Sequence, residues 1–374
     1  MKVKKILFLF GTRPEAIKLA PLIWLLKDSK YFSVKVGVTA QHRQLLDQVL
    51  DFFQIIPDYD LNIMSPNQSL HALTANLIEQ ITEKILLKEK FDLAIVQGDT
   101  STVMAGALSS FYLKIPLAHV EAGLRSGNMH DPFPEEMNRM VTSRLTQYHF
   151  CPTETARQNL ISEGITKNIF ITGNTVIDAL LLGLQKVNSG NHEEFQKYFN
   201  NIDFSRKIIL VTCHRRESFG EPFKEICESL VQIAKENENE VEIVYPVHLN
   251  PNILDNANKY LRRKNIKLIT PLDYKNMIWL LNKSYLVLTD SGGVQEEAPS
   301  LGKPVLVLRN TTERMEGIEA GTALLVGTAG NKIVHEVNRL LADSNYYRQF
   351  ANIKNPYGDG TASQQIIDIL KKHF

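Results

Sequence analysis

Short, almost wholly apolar runs alternate with longer stretches of helical periodicity along nearly the whole of this chain, and they do so in two series. In the first series, residues 6–10, 34–38, 93–96, 117–120, 148–150 and 169–171 read as strands. The helices between them read as 15–26, 44–53, 69–87, 101–113 and 135–145. A strand apolar on both faces must be covered on both, and alternation with helices supplies that cover. The pattern therefore predicts α/β architecture with doubly wound parallel sheets. A second series begins with strands at 208–212, 243–247, 266–269, 286–288, 305–308 and 324–326. Two Rossmann-like domains are expected, with no close sequence repeat between them.

A length of 374 residues suits two domains of ordinary size. The expected division is 1–187 for the first domain, a polar linker at 188–204, and 205–362 for the second. A helix from about 176 to 187 leads into the linker, and a closing helix at 363–374 is expected to complete the first domain. That closing helix has one apolar face, carried by Ile366, Ile367, Ile369 and Leu370. Lys plus Arg (42) nearly balance Asp plus Glu (41), so no global field favours nucleic acid or an anionic membrane. Cys151, Cys213 and Cys227 have neither disulfide nor metal-ligand spacing, which points to a reducing compartment. The apolar run at 6–10 ends at Gly11-Thr12-Arg13, too early for a signal peptide, and no run approaches a membrane span. The expected location is the cytoplasm.

Parallel sheets bind ligands beyond the carboxyl ends of their strands, so the polar residues following each strand are the candidates. After the first strand, Arg13 and Lys18 flank a helix start that Pro14 suits, an arrangement for anions; it also serves as a plain strand–helix turn. Asp99 and Thr100 follow the 93–96 strand, and Glu121 follows the next. Either of the first two could cap a helix, and Glu121 could simply pair with Arg125. Glu135 and Glu136 open a helix after two prolines, where their charge also suits the helix dipole. Three carboxylate positions at one sheet edge favour proton transfer. In the second series, His214 stands beside Arg215 and Arg216, whose guanidinium forks match phosphate oxygens, and His248 ends another strand. The strongest local signal is Asp290-Ser291-Gly292-Gly293 running into a helix: bare backbone N–H groups suit a diphosphate, and Glu297, six residues past Ser291, suits ribose hydroxyls. Arg314 adds a cation after the 305–308 strand. No GxGxxG follows a strand, no P-loop occurs and no metal-ligand spacing is present, so no cofactor or metal is expected.

Together these pieces resemble the non-hydrolysing UDP-N-acetylglucosamine 2-epimerase family. The matching motifs, in family order, are GTRPEAIK (11–18), QHR (41–43), QGDTSTV (97–103), HVEAGLRS (119–126), PEEMNR (134–139), CHRRES (213–218), YPVH (245–248), DSGGVQEE (290–297) and TTER (311–314). The resemblance implies a glycosyltransferase-B-like arrangement with two domains facing across a cleft, a homodimer, and interconversion of UDP-GlcNAc with UDP-ManNAc for cell-surface polysaccharide. It implies Asp99, Glu121 and Glu135 as the acid/base set with His214 essential, and Arg13, Ser291, Gly292, Gly293, Glu297 and Arg314 on the UDP with Lys18 nearby. It also implies a second UDP-GlcNAc as activator, beside Gln41, Gln44, Gln68, Glu136, Arg215 and His248. The chain departs from the family pattern at Met315, where relatives carry proline, and at Asn67, where they often carry arginine.

These residue types permit an elimination. Carbon 2 of an intact nucleotide sugar carries no acidic proton; loss of UDP from carbon 1 makes that proton removable, and return of UDP to the glycal completes epimerisation. Four further readings are open from the sequence: an epimerase acting on a modified UDP-sugar such as a UDP-diacetamido-uronic acid, a glycosyltransferase, a hydrolysing epimerase, and a non-catalytic nucleotide-sugar sensor. The GTRPEAIK form and the retained carboxylates weigh against the last two.

Overall fold

The computed structural model describes residues 3–40, 43–64, 68–190, 192–215, 219–248 and 250–374. It divides into two compact units, Met1–Leu182 with Gly358–Phe374, and Gly183–Tyr357.

Unit 1 is built on seven parallel strands: β1 (Lys4–Phe10), β2 (Phe32–Val38), β3 (Tyr59–Asp60), β4 (Leu93–Gln97), β5 (Leu117–Val120), β6 (Tyr148–Cys151) and β7 (Ile169–Ile171). Their order is β3-β2-β1-β4-β5-β6-β7. Helices α1 (Arg13–Leu26), α2 (Arg43–Phe53), α3 (Leu70–Ile81), α4 (Ser101–Tyr112), α5 (Glu135–Leu145), α6 (Glu154–Ser162) and α7 (Thr175–Ser189) follow in turn. The central strands are buried on both faces, Ile6 through Phe10 among them, as the unbroken apolar run requires. Two features escape periodicity. The edge strand β3 has only two residues, and α3 does not run on to 87 as one α-helix but widens into a π-helical turn at Thr82–Leu86.

Unit 2 contains α8 (His192–Tyr198), β8 (Lys207–Thr212), α9 (Glu221–Glu236), β9 (Val241–Pro246), α10 (Pro251–Tyr260), β10 (Ile266–Ile269), α11 (Tyr274–Lys283), β11 (Leu286–Thr289), α12 (Gly292–Glu297), β12 (Val305–Val307), α13 (Met315–Ala320), β13 (Ala323–Leu325), α14 (Gly330–Ala342) and α15 (Ser344–Ala351). The strand order is β10-β9-β8-β11-β12-β13, again parallel throughout. Its core is one cluster running from Ile209 and Val211 on β8 to Leu340 and Leu341 on α14.

The segment 188–204, expected to be a linker, falls instead within unit 2, and its Phe195, Phe199 and Ile202 are buried. Phe195 and Phe199 stack on Trp279 with centroids 5.1 and 5.0 Å away, and Phe204 meets the same ring edge-on at 5.1 Å. The Asn, Ser and Gly residues at its start masked two phenylalanines spaced four apart, which is one helix face. The division between the units falls inside α7, not after it. The closing helix α16 (Ala362–His373) belongs to unit 1, where Asp178 accepts the backbone N–H of Ser363 at 2.7 Å and Ile366, Ile367 and Leu370 are buried. No helix of the described residues is long and apolar enough to cross a membrane.

Candidate active site

In each sheet the strand order reverses at one place, and in open parallel sheets the turns at that reversal make the ligand crevice. In unit 1 it lies between β1 and β4, so the turns at 11–12 and 98–100 meet there. A single buried side chain spans them. Glu15 Oε2 accepts the N–H groups of Gly11 (3.1 Å) and Thr12 (2.7 Å) and the Thr12 hydroxyl (2.7 Å), while Oε1 accepts the Thr100 hydroxyl (2.8 Å). Burial pushes this carboxyl up to about 7, against hydrogen bonds that favour its ionised form. Thr100 also caps α4, as one reading of its position allowed.

Glu121 follows β5 with backbone φ of 66°, a left-handed conformation that disfavours a side chain by roughly 1–2 kcal/mol. Its Oε2 receives Lys18 Nζ at 2.5 Å and the Gln97 amide as well. The chain turns immediately afterwards at Gly123, where φ is +87° and a Cβ would stand 2.1 Å from the Ala156 carbonyl oxygen; only glycine fits. Arg125 pairs with Glu163, at 2.6 and 2.9 Å, and not with Glu121.

Asp99 is gripped by Arg139, whose Nε and Nη2 donate to Oδ2 at 3.0 and 2.6 Å, and Asn138 donates to its backbone carbonyl at 2.8 Å. The third arm of Arg139 reaches Glu136 at 2.9 Å. Glu136 is buried and also accepts the N–H groups of Ser126 and Gly127, so it braces the 126–136 loop. Glu135, half-buried, opens α5. His119 Nε2 lies 2.7 Å from the Gly98 carbonyl, and burial lowers its pKa to about 4, leaving the ring neutral. Arg13 is half-buried at the first position of α1, as Lys18 is further along it.

In unit 2 the reversal lies between β8 and β11, and again one buried carboxylate joins the two turns. Asp290 Oδ2 accepts the N–H groups of His214 and Arg215, both at 2.7 Å; His214 Nδ1 stands 3.2 Å from Oδ1, an ion-pair distance outside hydrogen-bonding alignment. Burial would raise the Asp290 pKa, but the His214 ring and these amides outweigh it and hold the group below its usual range. The exposed His214 ring stacks on His248 with centroids 5.9 Å apart. Ser291 precedes α12, and its N–H is taken by the Thr289 hydroxyl at 2.9 Å. Arg314 donates from Nε to Glu296 at 2.8 Å, and its guanidinium lies 3.3–3.4 Å from where a Cβ on Gly292 would sit. Gly293 faces open space, and Glu297 is half-buried at the end of α12. Glu313 is shared by Arg309 (2.7 Å), Arg215 (3.5 Å) and Arg314 (3.5 Å).

Among the remaining expected residues, Gln44 is exposed on α2 and Gln68 is half-buried, its Oε1 without a partner among the described residues. Gln41, Arg216 and Asn67 lie outside the described residues. Glu15, Gln97, Arg139, Asp290, Glu296 and Glu313 carry much of the geometry yet have no assigned role in the sequence reading. Two of them had a local signal: Thr12-x-x-Glu15 is a helix capping box, and Asp290 opens the Asp-Ser-Gly-Gly turn.

A family model described as UDP-N-acetylglucosamine 2-epimerase matches residues 25–371. The chain is 53% identical over 373 residues to UDP-N-acetylglucosamine 2-epimerase of Escherichia coli (strain K12), covering 99% of each. It is similar to the crystal structure of UDP-GlcNAc 2-epimerase from Neisseria meningitidis bound to UDP-GlcNAc, with 48% identity, a TM-score of 0.90, and 99% and 100% of the two chains covered. It is also similar to the Methanocaldococcus jannaschii UDP-GlcNAc 2-epimerase in complex with UDP-GlcNAc and UDP, with 37% identity, a TM-score of 0.80, and 98% and 99% covered.

Proposed function

This chain belongs to the UDP-N-acetylglucosamine 2-epimerase family, and on that premise we propose that it inverts carbon 2 of UDP-GlcNAc to give UDP-ManNAc without net hydrolysis. The observation that carries the reading is Glu121: a carboxylate kept in a disfavoured backbone conformation at a strand's carboxyl end, with Lys18 and Gln97 both on one oxygen. Strain of this kind persists where the surroundings enforce it, and it clusters at functional sites.

The reaction proceeds by elimination. A carboxylate removes the proton from carbon 2 as the carbon 1–oxygen bond to UDP breaks, so the electron pair of the C–H bond becomes the C1–C2 double bond of a glycal. UDP departs with the electrons of the C–O bond. A carboxylic acid on the other face then returns a proton to carbon 2, and the UDP oxygen adds back to carbon 1. Asp99, Glu121 and Glu135 supply the proton-transfer groups; Arg139 grips Asp99, and Lys18, assigned by resemblance to the substrate, contacts Glu121. His214, oriented by Asp290, serves the same chemistry. Arg13, Ser291, Gly292, Gly293 and Arg314 bind the diphosphate, whose charge grows as it leaves, and Glu297 binds the ribose. The protein works as a homodimer in the cytoplasm, supplying precursors of cell-surface polysaccharide. A second UDP-GlcNAc binds as activator at Gln68, Arg215 and His248, with Gln41, Gln44 and Glu136 contributing.

The test is turnover of UDP-GlcNAc in D₂O followed by NMR. UDP-ManNAc with deuterium at carbon 2 is expected, together with slow leakage of UDP and glycal. Product that keeps its original carbon 2 hydrogen would exclude the elimination, and stoichiometric free ManNAc would establish the hydrolysing reaction instead.

A further inference from the structure

Three guanidiniums of unit 2 converge on one carboxylate next to the turn assigned to the diphosphate. Glu313 receives Arg309 Nη1 at 2.7 Å, and Arg215 Nη2 and Arg314 Nη1 each lie 3.5 Å from its other oxygen. The cations come from separate places in the chain: Arg215 after β8, Arg309 after β12, and Arg314 at the start of α13. Arg314 is contested. Its Nε is fixed by buried Glu296 at 2.8 Å, which holds the guanidinium against Gly292, while its Nη1 faces Glu313. Glu313 itself is not buried; its side chain is 39% exposed, so a ligand anion can reach the same guanidiniums.

We infer that Glu313 is an affinity-setting residue: an internal counter-anion that occupies the arginine cluster in place of the diphosphate and lowers the affinity of the filled site. The inference rests on the diphosphate reading of the Ser291-Gly-Gly turn. Three like charges brought together repel, and Glu313 neutralises part of that repulsion when no ligand is bound. Once a diphosphate arrives, the same carboxylate is a like charge beside it and competes for Arg314. Such a brake suits a reaction in which UDP must leave carbon 1, return to it and finally depart attached to the product, because a tighter grip on UDP alone would lower turnover without helping the transition state. Burial, which opposes ionisation, is overcome by a backbone hydrogen bond and by Arg314 and Arg309, so Glu313 stays charged, at about 2, throughout the physiological range.

The experiment is calorimetric titration of the full-length protein with UDP and, in parallel, with uridine. Glu313→Gln keeps an oxygen for Arg309 and removes the charge. It is expected to tighten UDP binding by roughly three- to tenfold, the scale of a partly solvated charge interaction, with no change for uridine. Damage to the fold does not produce a gain in affinity. Glu313→Ala should move UDP affinity in the same direction. UDP affinity unchanged or weakened in Glu313→Gln, or a gain shared equally by uridine, overturns the inference. Failure of the underlying reading is a separate result: wild-type protein that binds UDP no better than uridine, or Arg314→Gln that binds UDP as wild type does.

Discussion

At the scale of single residues, the side chains proposed for chemistry differ from those that brace the site. Glu121 is the sharpest case, because its backbone strain, its cation and its amide partner all converge on one carboxylate. Glu121→Gln preserves shape and at least one hydrogen bond but cannot accept a proton. Turnover should fall by at least about a hundredfold, the usual contribution of positioned proton transfer, while UDP affinity measured by calorimetry changes little. Near-normal turnover would remove Glu121 from the acid/base set. The carboxylates proposed for proton transfer are nominated from sequence by strand-end position and residue type alone. The residues that brace the strand-end turns beside them are not. Glu15 and Asp290 matter because β1 lies beside β4 and β8 beside β11, and that adjacency is a property of strand order, invisible in a linear reading.

At the scale of elements, strands and helices announced themselves where their apolar pattern is unbroken, and failed where it is short or interrupted. The two-residue β3 has no period to detect, the π-helical turn shares its apolar spacing with the helix it extends, and α8 hides behind a polar approach. Neighbouring strands also carry an acid-sensitive pair. His119 on β5 stands in register with His149 on β6, and burial lowers both pKa values to about 4. A depressed folded-state pKa means the unfolded chain binds protons first, so stability present above about 6.5 is lost as pH falls towards 4. Between pH 7 and 5 this amounts to about 2 kcal/mol for each histidine. Glu15 works in the opposite sense: its raised folded-state value favours the folded protein at low pH and loses that advantage as pH rises through about 7. The histidine contribution is therefore read as a difference. Denaturant unfolding at pH 7 and pH 5 should show wild type losing several kcal/mol more than the His119→Gln, His149→Gln double variant. Equal losses would mean that these rings are not buried neutral groups.

At the scale of the whole molecule, the chain builds unit 1, then unit 2, and then contributes one last helix to unit 1. That return is readable only in part: an apolar face at 366–370 demands cover, but nothing local says which core supplies it. The structure gives the answer in specific contacts, with Ser363 N–H on Asp178, Tyr148 donating to the His373 carbonyl at 3.3 Å, and the Phe374 ring meeting Tyr148 edge-on at 6.5 Å. Leu370 is fully buried there, so Leu370→Ala should cost about 2–5 kcal/mol, the range for a large-to-small change in a packed core. Where that loss is felt is the informative part. Each unit has its own sheet and its own apolar core, and domains so built open as cooperative units. Hydrogen exchange followed by mass spectrometry should therefore show faster exchange along β1, β4 and β5 in the variant, with β8, β9 and β11 protected as in wild type. Uniform loss of protection across both sheets would show that the two units unfold as one, and that residues 358–374 stabilise the entire chain and not unit 1 alone.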